Sequence, residues 1–463
     1  MFTPSSDVNS GKQLLLSDVL GTLSYGLDMA EGQSLGHNMR CCWIGMHIGQ
    51  QMLLSLDQLW ELYYTILLKD LGSSSTATKI CKLYGADDRK VKKEFRAIDN
   101  HDMVQIVKFV VQHTRLSNSL PDRIGRTIYL ATHGEKLAEE FIKYRCDQGA
   151  EFATQLGFNE NVSQAIRFLD EHWNGKGRPL RLSGDQIPLY SQIALLSQIV
   201  DIYYHIGGVD AVKTEMRIRK GVWFNPEVVD AFNSASKSFQ FWGGLKAKTI
   251  DDDVKQLEPE SRLITMDNER FNNIARVFSQ IVDAKSQFTN EHSARVAKYS
   301  NSMGKDLGLT DDRLTLLNQG ALLHDLGKLG ISNTILDKPD RLTSEEWLKV
   351  KNHAKYTEDI LQHLSPLSEL AFIASSHHER LNGQGYPRGL SAEQIPMETR
   401  IITVCDIFSA LTANRPYRKA IPVSQALSIL EKQRGTAIDG DCVEALISKI
   451  PEITGGENSK MVA

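Results

Sequence analysis

The stretch "LLHDLGKLGI" at 322–331 has a near twin, "LLKDLGSSS", at 67–75. Further along, "ERLNGQGYPRGLSAEQIP" at 379–396 lies over "EHWNGKGRPLRLSGDQIP" at 171–188 without a gap. The spacing agrees between segments: His37 to His292, Arg40 to Arg295 and Lys69 to His324 are each 255 positions apart. Separate segments that match in the same order imply a duplicated domain. A chain of 463 residues has room for two hydrophobic cores.

Periodicity sets the fold class. Apolar residues recur at i, i+3, i+4 and i+7 in "ERFNNIARVFSQIVDA" and "SQALSILEKQ", whereas alternating runs are rare. The expectation is an all-α protein with two helical bundle domains in tandem. The first domain is placed at 1–245, a charged linker at 246–265, the second domain at 266–453 and a disordered tail at 454–463. Between its landmarks the first copy is longer by about 47 residues, an insertion placed around "DDRKVKKEFRAIDNHDMVQIVKFVVQHTR" at 87–115. Its charges read as the solvated face of a packing helix.

Composition excludes some classes. Apolar residues at 41% and charged residues at 24% are those of a soluble globular chain. A net charge of −4 gives no basic surface for nucleic acid or an anionic membrane. The most apolar stretch, "IPLYSQIALLSQIVDIYY" at 187–204, is broken by Ser, Gln and Asp, so it reads as a buried helix rather than a membrane span. The polar N-terminus has no secretory pattern, which predicts a cytoplasmic protein. Six cysteines without a CxxC pair read as reduced thiols.

The second copy carries His292, the pair His324-Asp325, His353, the pair His377-His378, and Asp406. Imidazoles and carboxylates without thiolate suit divalent iron or manganese better than structural zinc. Five histidines and two aspartates exceed the needs of one ion, so two ions with a bridging aspartate follow, and Asp325 is the candidate bridge. Lys328, one turn beyond, is placed to stabilise phosphate charge or protonate a leaving oxygen. Arg415 and Arg418 share a face if "RPYR" is wound as a helix, and their charges suit a phosphate. Tyr386 either stacks on a base or pins its glycine-rich loop.

The segments "HDLGK", "HHERLNGQGYPRGLSAEQIP" and "RPYRKA" resemble the HD-GYP family of the HD phosphohydrolase superfamily, over roughly 270–450. The resemblance implies an all-α fold, two or three metal ions and hydrolysis of a cyclic dinucleotide to a linear dinucleotide or mononucleotides. It implies metal ligation by His292, His324, Asp325, His353, His377, His378 and Asp406, with Asp325 and Lys328 as catalytic residues. Arg295, Tyr386, Arg415 and Arg418 are assigned to substrate binding. Some members carry a glutamate for a third ion where Phe288 stands here, which favours two ions; Glu291 is the neighbouring acid. The tandem arrangement, with "YGLDMAEGQSLGH" and "DEHWNGKG", also resembles bacterial phosphodiesterases acting on 3′,3′-cyclic GMP-AMP; cyclic di-GMP is the other candidate substrate.

The first copy has lost the set. Lys69 and Arg145 stand at histidine positions, Leu169-Asp170 at the histidine pair and Arg178 at Tyr386. The first domain is therefore expected to be degenerate, without the two-metal centre, and to act as a regulatory or dimerising domain. The partners expected are a cyclic dinucleotide and, through the first domain, a second copy or a signalling protein.

Overall fold

The computed structural model describes residues 13–96, 98, 103–113, 120–289 and 291–453. The tail at 454–463 lies outside the described residues. Among the described residues the regular elements are all helices, and β-structure is limited to isolated bridges in the connecting turns and loops. No described helix is long and apolar enough to cross a membrane. All six cysteines are free.

The described chain forms two compact units, the first of Leu15–Thr265 and the second of the residues from Met266 onward together with residues 13–14. In the second unit, helix His292–Asp306 packs against helices Asp311–Leu323 and Met397–Thr412. In the first, helix His37–Gln51 packs in the same way against Leu56–Leu67 and Leu189–Arg219. The short helices Glu160–Arg167 and Ser368–Ser375 also correspond, 208 positions apart. Local physics repeats along with the elements. A Cβ on Gly327 would collide with the carbonyl oxygen of His353, and one on Gly72 with that of Arg145. Only glycine lets the segment after the Asp approach the next long helix so closely. Glu379 accepts the backbone N–H groups of Arg388 and Leu390 at 2.7 and 2.9 Å, and Glu171 those of Leu180 and Leu182 at 2.6 and 3.0 Å.

The structure corrects two expectations about the first copy. The segment read as a linker at 246–265 is folded into the first unit. It contributes helix Ile250–Lys255, whose Asp251 accepts from Tyr25 Oη at 2.7 Å, and Glu258, which accepts from Tyr64 Oη at 2.5 Å. Lys255 and Arg262 pair with Asp18 and Asp57 of the same unit. These four charges are therefore partners of the bundle rather than part of a solvated tether. The insertion, too, is more than a solvated helix. Helix Asp88–Phe95 turns Val91 and Lys92 inward, and Arg96 just beyond it is buried against Glu31 and Asp70.

Candidate metal centre

Each candidate ligand sits at an element end or on a buried helix face. His292 is the first residue of its helix, and His324-Asp325 follow directly on Asp311–Leu323. His353 lies on helix Ser344–Leu361, started by the capping box of Thr343 and Glu346. His377-His378 follow Ser368–Ser375, and Asp406 lies within Met397–Thr412. The structure brings all seven together.

Asp325 is the pivot. Its Oδ2 lies 3.7 Å from His292 Nε2 and 3.3 Å from His324 Nε2. Its Oδ1 faces the other way, 3.6 Å from His353 Nε2 and 4.0 Å from His377 Nε2. Asp406 Oδ1 completes the first side, 3.1 Å from His292 Nε2, and His378 joins His353 and His377 on the second. One carboxylate thus faces two sets of imidazoles, one through each oxygen.

The ring nitrogens are pre-oriented. Nδ1 of His324, His353 and His377 meets the backbone carbonyls of Ala321, Val350 and Ala374 at 2.6–2.7 Å, and that of His292 meets Ser409 Oγ at 3.0 Å. A hydrogen bond at Nδ1 leaves the Nε2 lone pair as the ligand. With Nδ1 so engaged, Nε2 of His292 and of His324 is buried facing carboxylate oxygens of Asp406 and Asp325 at 3.1 and 3.3 Å without a well-formed hydrogen bond, a costly state that a bound cation would relieve. Burial moves His292 and His353 down to about 4 and His378 to about 3, so these rings are neutral donors. Against the cost of burial, Lys328 and then His324 hold Asp325 well below the carboxylate range. The residues present therefore fit a metal-binding role, with Asp325 within reach of imidazoles on both of its sides.

Above the clusters opens a cleft of about 700 Å³. Lys328, Tyr386, Arg415 and Arg418 line it, and so do Trp347, Lys338 and Arg341, which sequence reasoning missed. Lys328 Nζ is 2.5 Å from Asp325 Oδ2. The Tyr386 ring lies 4.7 Å from that of His378. Arg295, half-buried, is not among the residues lining the cleft. "RPYR" is not wound as a helix: Arg415 and Arg418 exchange backbone hydrogen bonds across a tight turn, because Pro416 has no N–H to continue a ladder. The Arg418 guanidinium donates to the carbonyls of Ala410 and Leu411 at 2.6 and 2.9 Å, capping the preceding helix, while Arg415 lines the cleft. Phe288 lines the cleft and Glu291 is exposed, outside every ligand cluster among the described residues.

In the first unit a protein-borne charge network replaces this arrangement. His37 Nδ1 meets Asp201 Oδ2 at 2.6 Å, the place that Ser409 fills in the second unit. Asp201 also accepts from Arg40 at 2.7 Å, so the trio His37, Cys41 and Asp201 has its carboxylate occupied by a guanidinium. Asp70 is bonded by Lys69 and by Arg96, the latter at 2.7 Å, and Arg145 pairs with Asp170. Burial and Lys69 together lower His37 to about 4.

The HD domain family profile matches residues 114–205 and 276–442. Over 431 residues the chain is 45% identical to the 3′3′-cGAMP-specific phosphodiesterase 3 of Vibrio cholerae, covering 93% of this chain and 94% of the relative. This chain belongs to the HD-domain family, in its HD-GYP branch. A crystal structure of a cyclic GMP-AMP-specific phosphodiesterase of V. cholerae is similar at a TM-score of 0.66 and 41% identity, across 94% of this chain and 98% of that one. A cyclic di-GMP phosphodiesterase of Thermotoga maritima is 35% identical over 183 residues, 39% of this chain and 50% of that protein. The HD-GYP signature falls on the second unit, and the HD-type bundle of the first retains the fold without the ligands.

The close approach at Gly327 gives a direct test of how the HD-GYP unit holds its ligands. Gly327→Ala is expected to push the helix of His353 away from Asp325 and to lower bound metal, measured by elemental analysis, along with the melting temperature. The matching Gly72→Ala in the first unit is expected to lower stability without changing metal content. Equal metal loss in both variants would contradict the assignment.

Proposed function

We propose that the second unit is a metal-dependent phosphodiesterase that hydrolyses 3′,3′-cyclic GMP-AMP, and that the ions are two, iron or manganese. The observation that carries the reading is Asp325, facing two imidazole sets at the floor of a basic, aromatic-rimmed cleft. The similarity to a 3′3′-cGAMP-specific enzyme over nearly the whole chain supports this substrate above cyclic di-GMP. The donor set, without thiolate, suits iron or manganese. Phe288 at the cleft wall leaves no acid there for a third ion.

Divalent ions in such a pair supply Lewis acidity at the phosphoryl group and water activation near neutral pH. The chain's own residues do the rest. Arg415, Lys338 and Arg341 line the cleft with positive charge suited to the two phosphates of a cyclic dinucleotide. The Lys328 ammonium sits over Asp325 at the boundary of ligand set and cleft, where it can neutralise developing charge or give a proton to the departing oxygen. Tyr386, beside His378, walls the cleft over the metal side.

Trp347, 46% exposed on the rim, offers a stacking face to one base. Trp347→Ala is expected to raise KM about tenfold with kcat little changed, the size of one base–aromatic stack. An unchanged KM would remove Trp347 from the substrate site.

The deciding experiment offers manganese- or iron-loaded protein the 3′,3′ and mixed-linkage cyclic GMP-AMP isomers, cyclic di-GMP and cyclic di-AMP in parallel. Products are resolved by chromatography. Cleavage confined to 3′,3′-cyclic GMP-AMP is the expected result. Preference for cyclic di-GMP would overturn the substrate assignment. No cleavage, with metal verified in the protein, would overturn the enzymatic reading in favour of a receptor.

A further inference from the structure

The first unit keeps a cavity where the second has its catalytic cleft. Arg145, Asp170, Arg178 and Gln198 line it, at the positions that His353, His378, Tyr386 and Asp406 hold in the cleft. The duplication has therefore preserved the place of a ligand site after its metal ligands were replaced. Its character has changed. Helix Ala77–Tyr84, the inserted segment and the long helix Leu120–Gln155 add an apolar wall that includes Leu83, Tyr84, Phe95 and Phe141. The cavity is about 130 Å³ against about 700 Å³ for the cleft. A cyclic dinucleotide does not fit that volume, whereas a single ring or short alkyl chain does, since engineered apolar cavities of about 150 Å³ take up benzene.

Charge selects the ligand further. Arg145 is paired with Asp170, Arg96 with Glu31 and Asp70, and Lys92 with Asp88. Arg178 is different: it is 7% exposed, lines the cavity, and its guanidinium has no hydrogen-bond or ion-pair partner among the described residues. The acids near it, Glu135 and Glu139, act on it from a distance and pair with Arg181 instead. A guanidinium held nearly out of solvent with no hydrogen bond to a described residue is costly, and a carboxylate entering the cavity would supply two acceptors in the geometry that arginine prefers.

We infer that this cavity is a binding site for a small apolar monocarboxylate, seated with its anion on Arg178 and its body against the wall of the insertion. The apolar lining disfavours a sugar or a second phosphate, and the one guanidinium of the lining without a hydrogen-bond partner among the described residues matches one negative charge.

The test uses the full-length, metal-loaded chain and phenylacetate as the probe, with phenylacetamide as its uncharged counterpart, both by titration calorimetry. Phenylacetate is expected to bind at least about tenfold more tightly than the amide, the contribution of one charge-assisted pair. Arg178→Gln should remove that difference, and Ala138→Phe, which fills the cavity without altering the arginine, should abolish binding of both. Equal affinity for acid and amide in the unmodified chain would overturn the inference without recourse to a variant. Undiminished binding to Ala138→Phe, or displacement of phenylacetate by GMP, would overturn it as well, the last in favour of a nucleotide site.

Discussion

Asp325→Ala is expected to abolish turnover and metal loading together while leaving the far-UV helical signal intact. Six side chains answer to this one carboxylate: four imidazoles within 4.0 Å, Lys328 at 2.5 Å, and Asp406 across His292. Removing it separates the two imidazole sets and leaves the Lys328 ammonium without its counter-charge. The fold should tolerate the change, because Gly327 and the carbonyl of His324 are held by Thr357 Oγ1 at 2.9 and 3.0 Å, independently of the carboxylate. Loss of kcat by about three orders of magnitude or more is the scale for removing a member of a cooperating catalytic set. Asp325→Asn separates two roles. It keeps volume and hydrogen bonding but offers neither charge nor two equivalent oxygens, so metal content should fall nearly as far as in the alanine variant. Elemental analysis and turnover measured on the same preparation check this. Full metal loading in Asp325→Ala, or retained turnover, would sink the shared-carboxylate reading.

The second unit's site was largely legible in the sequence because ligation needs particular side chains and those side chains are written out. The seven candidates meet in space as their types suggested. The duplication was legible for the same reason, since a fixed offset survives substitution. The later offset, that of the two short helices, also sets Asp201 opposite Ser409 and Gln198 opposite Asp406, and both pairs can be read from the amino acids alone. What stayed hidden has no counterpart to point to it. Arg96 belongs to the insertion, so nothing in the second copy marks it. Charge runs misled twice: Lys92 and the acids and bases of 246–265 looked solvated because their partners are distant in sequence, Ser73 and Ala30 carbonyls in one case and Tyr64 and Asp18 in the other. Trp347 went unread because an exposed aromatic on a polar helix shows its meaning only once the cleft beside it is seen.

The other large effect belongs to Arg96, which we expect to do for the first unit what cations do for the second. Glu31 and Asp70 are each 1% exposed, and Asp70 is the counterpart of Asp325. Arg96 bonds Glu31 at 2.6 Å and Asp70 at 2.7 Å, and also reaches Gln198, the counterpart of Asp406. Against the cost of burial, Lys69 and Arg96 hold Asp70 below the carboxylate range, and Arg96 holds Glu31 down in the same sense. Asp28, fully buried nearby, is pushed up to about 8 by burial, which shows where an acid goes when its cations do not suffice. Arg96→Ala therefore leaves two buried carboxylates short of charge, and breaking such a buried pair costs about 3–5 kcal/mol. The pH dependence follows in sign. In the native unit both acids have folded pKa values below their unfolded ones, so their stabilisation is present above roughly pH 4 and fades as pH falls through the folded values. Without Arg96 the folded values rise, so the variant is increasingly destabilised as pH climbs above the unfolded values. The gap between native and variant chains should thus be widest near neutrality, narrow as pH falls toward 4, and close only below that, as pH passes through the native folded values. Five of the six tryptophans lie in the first unit, so urea unfolding followed by tryptophan emission reports chiefly on it. A chelator should leave this transition unmoved in the native chain while shifting the melting of the second unit, because here a guanidinium stands in for the ion. A penalty that does not vary with pH, or a first-unit transition that moves on metal removal, would show that Arg96 is ordinary packing and not the internal replacement for a metal.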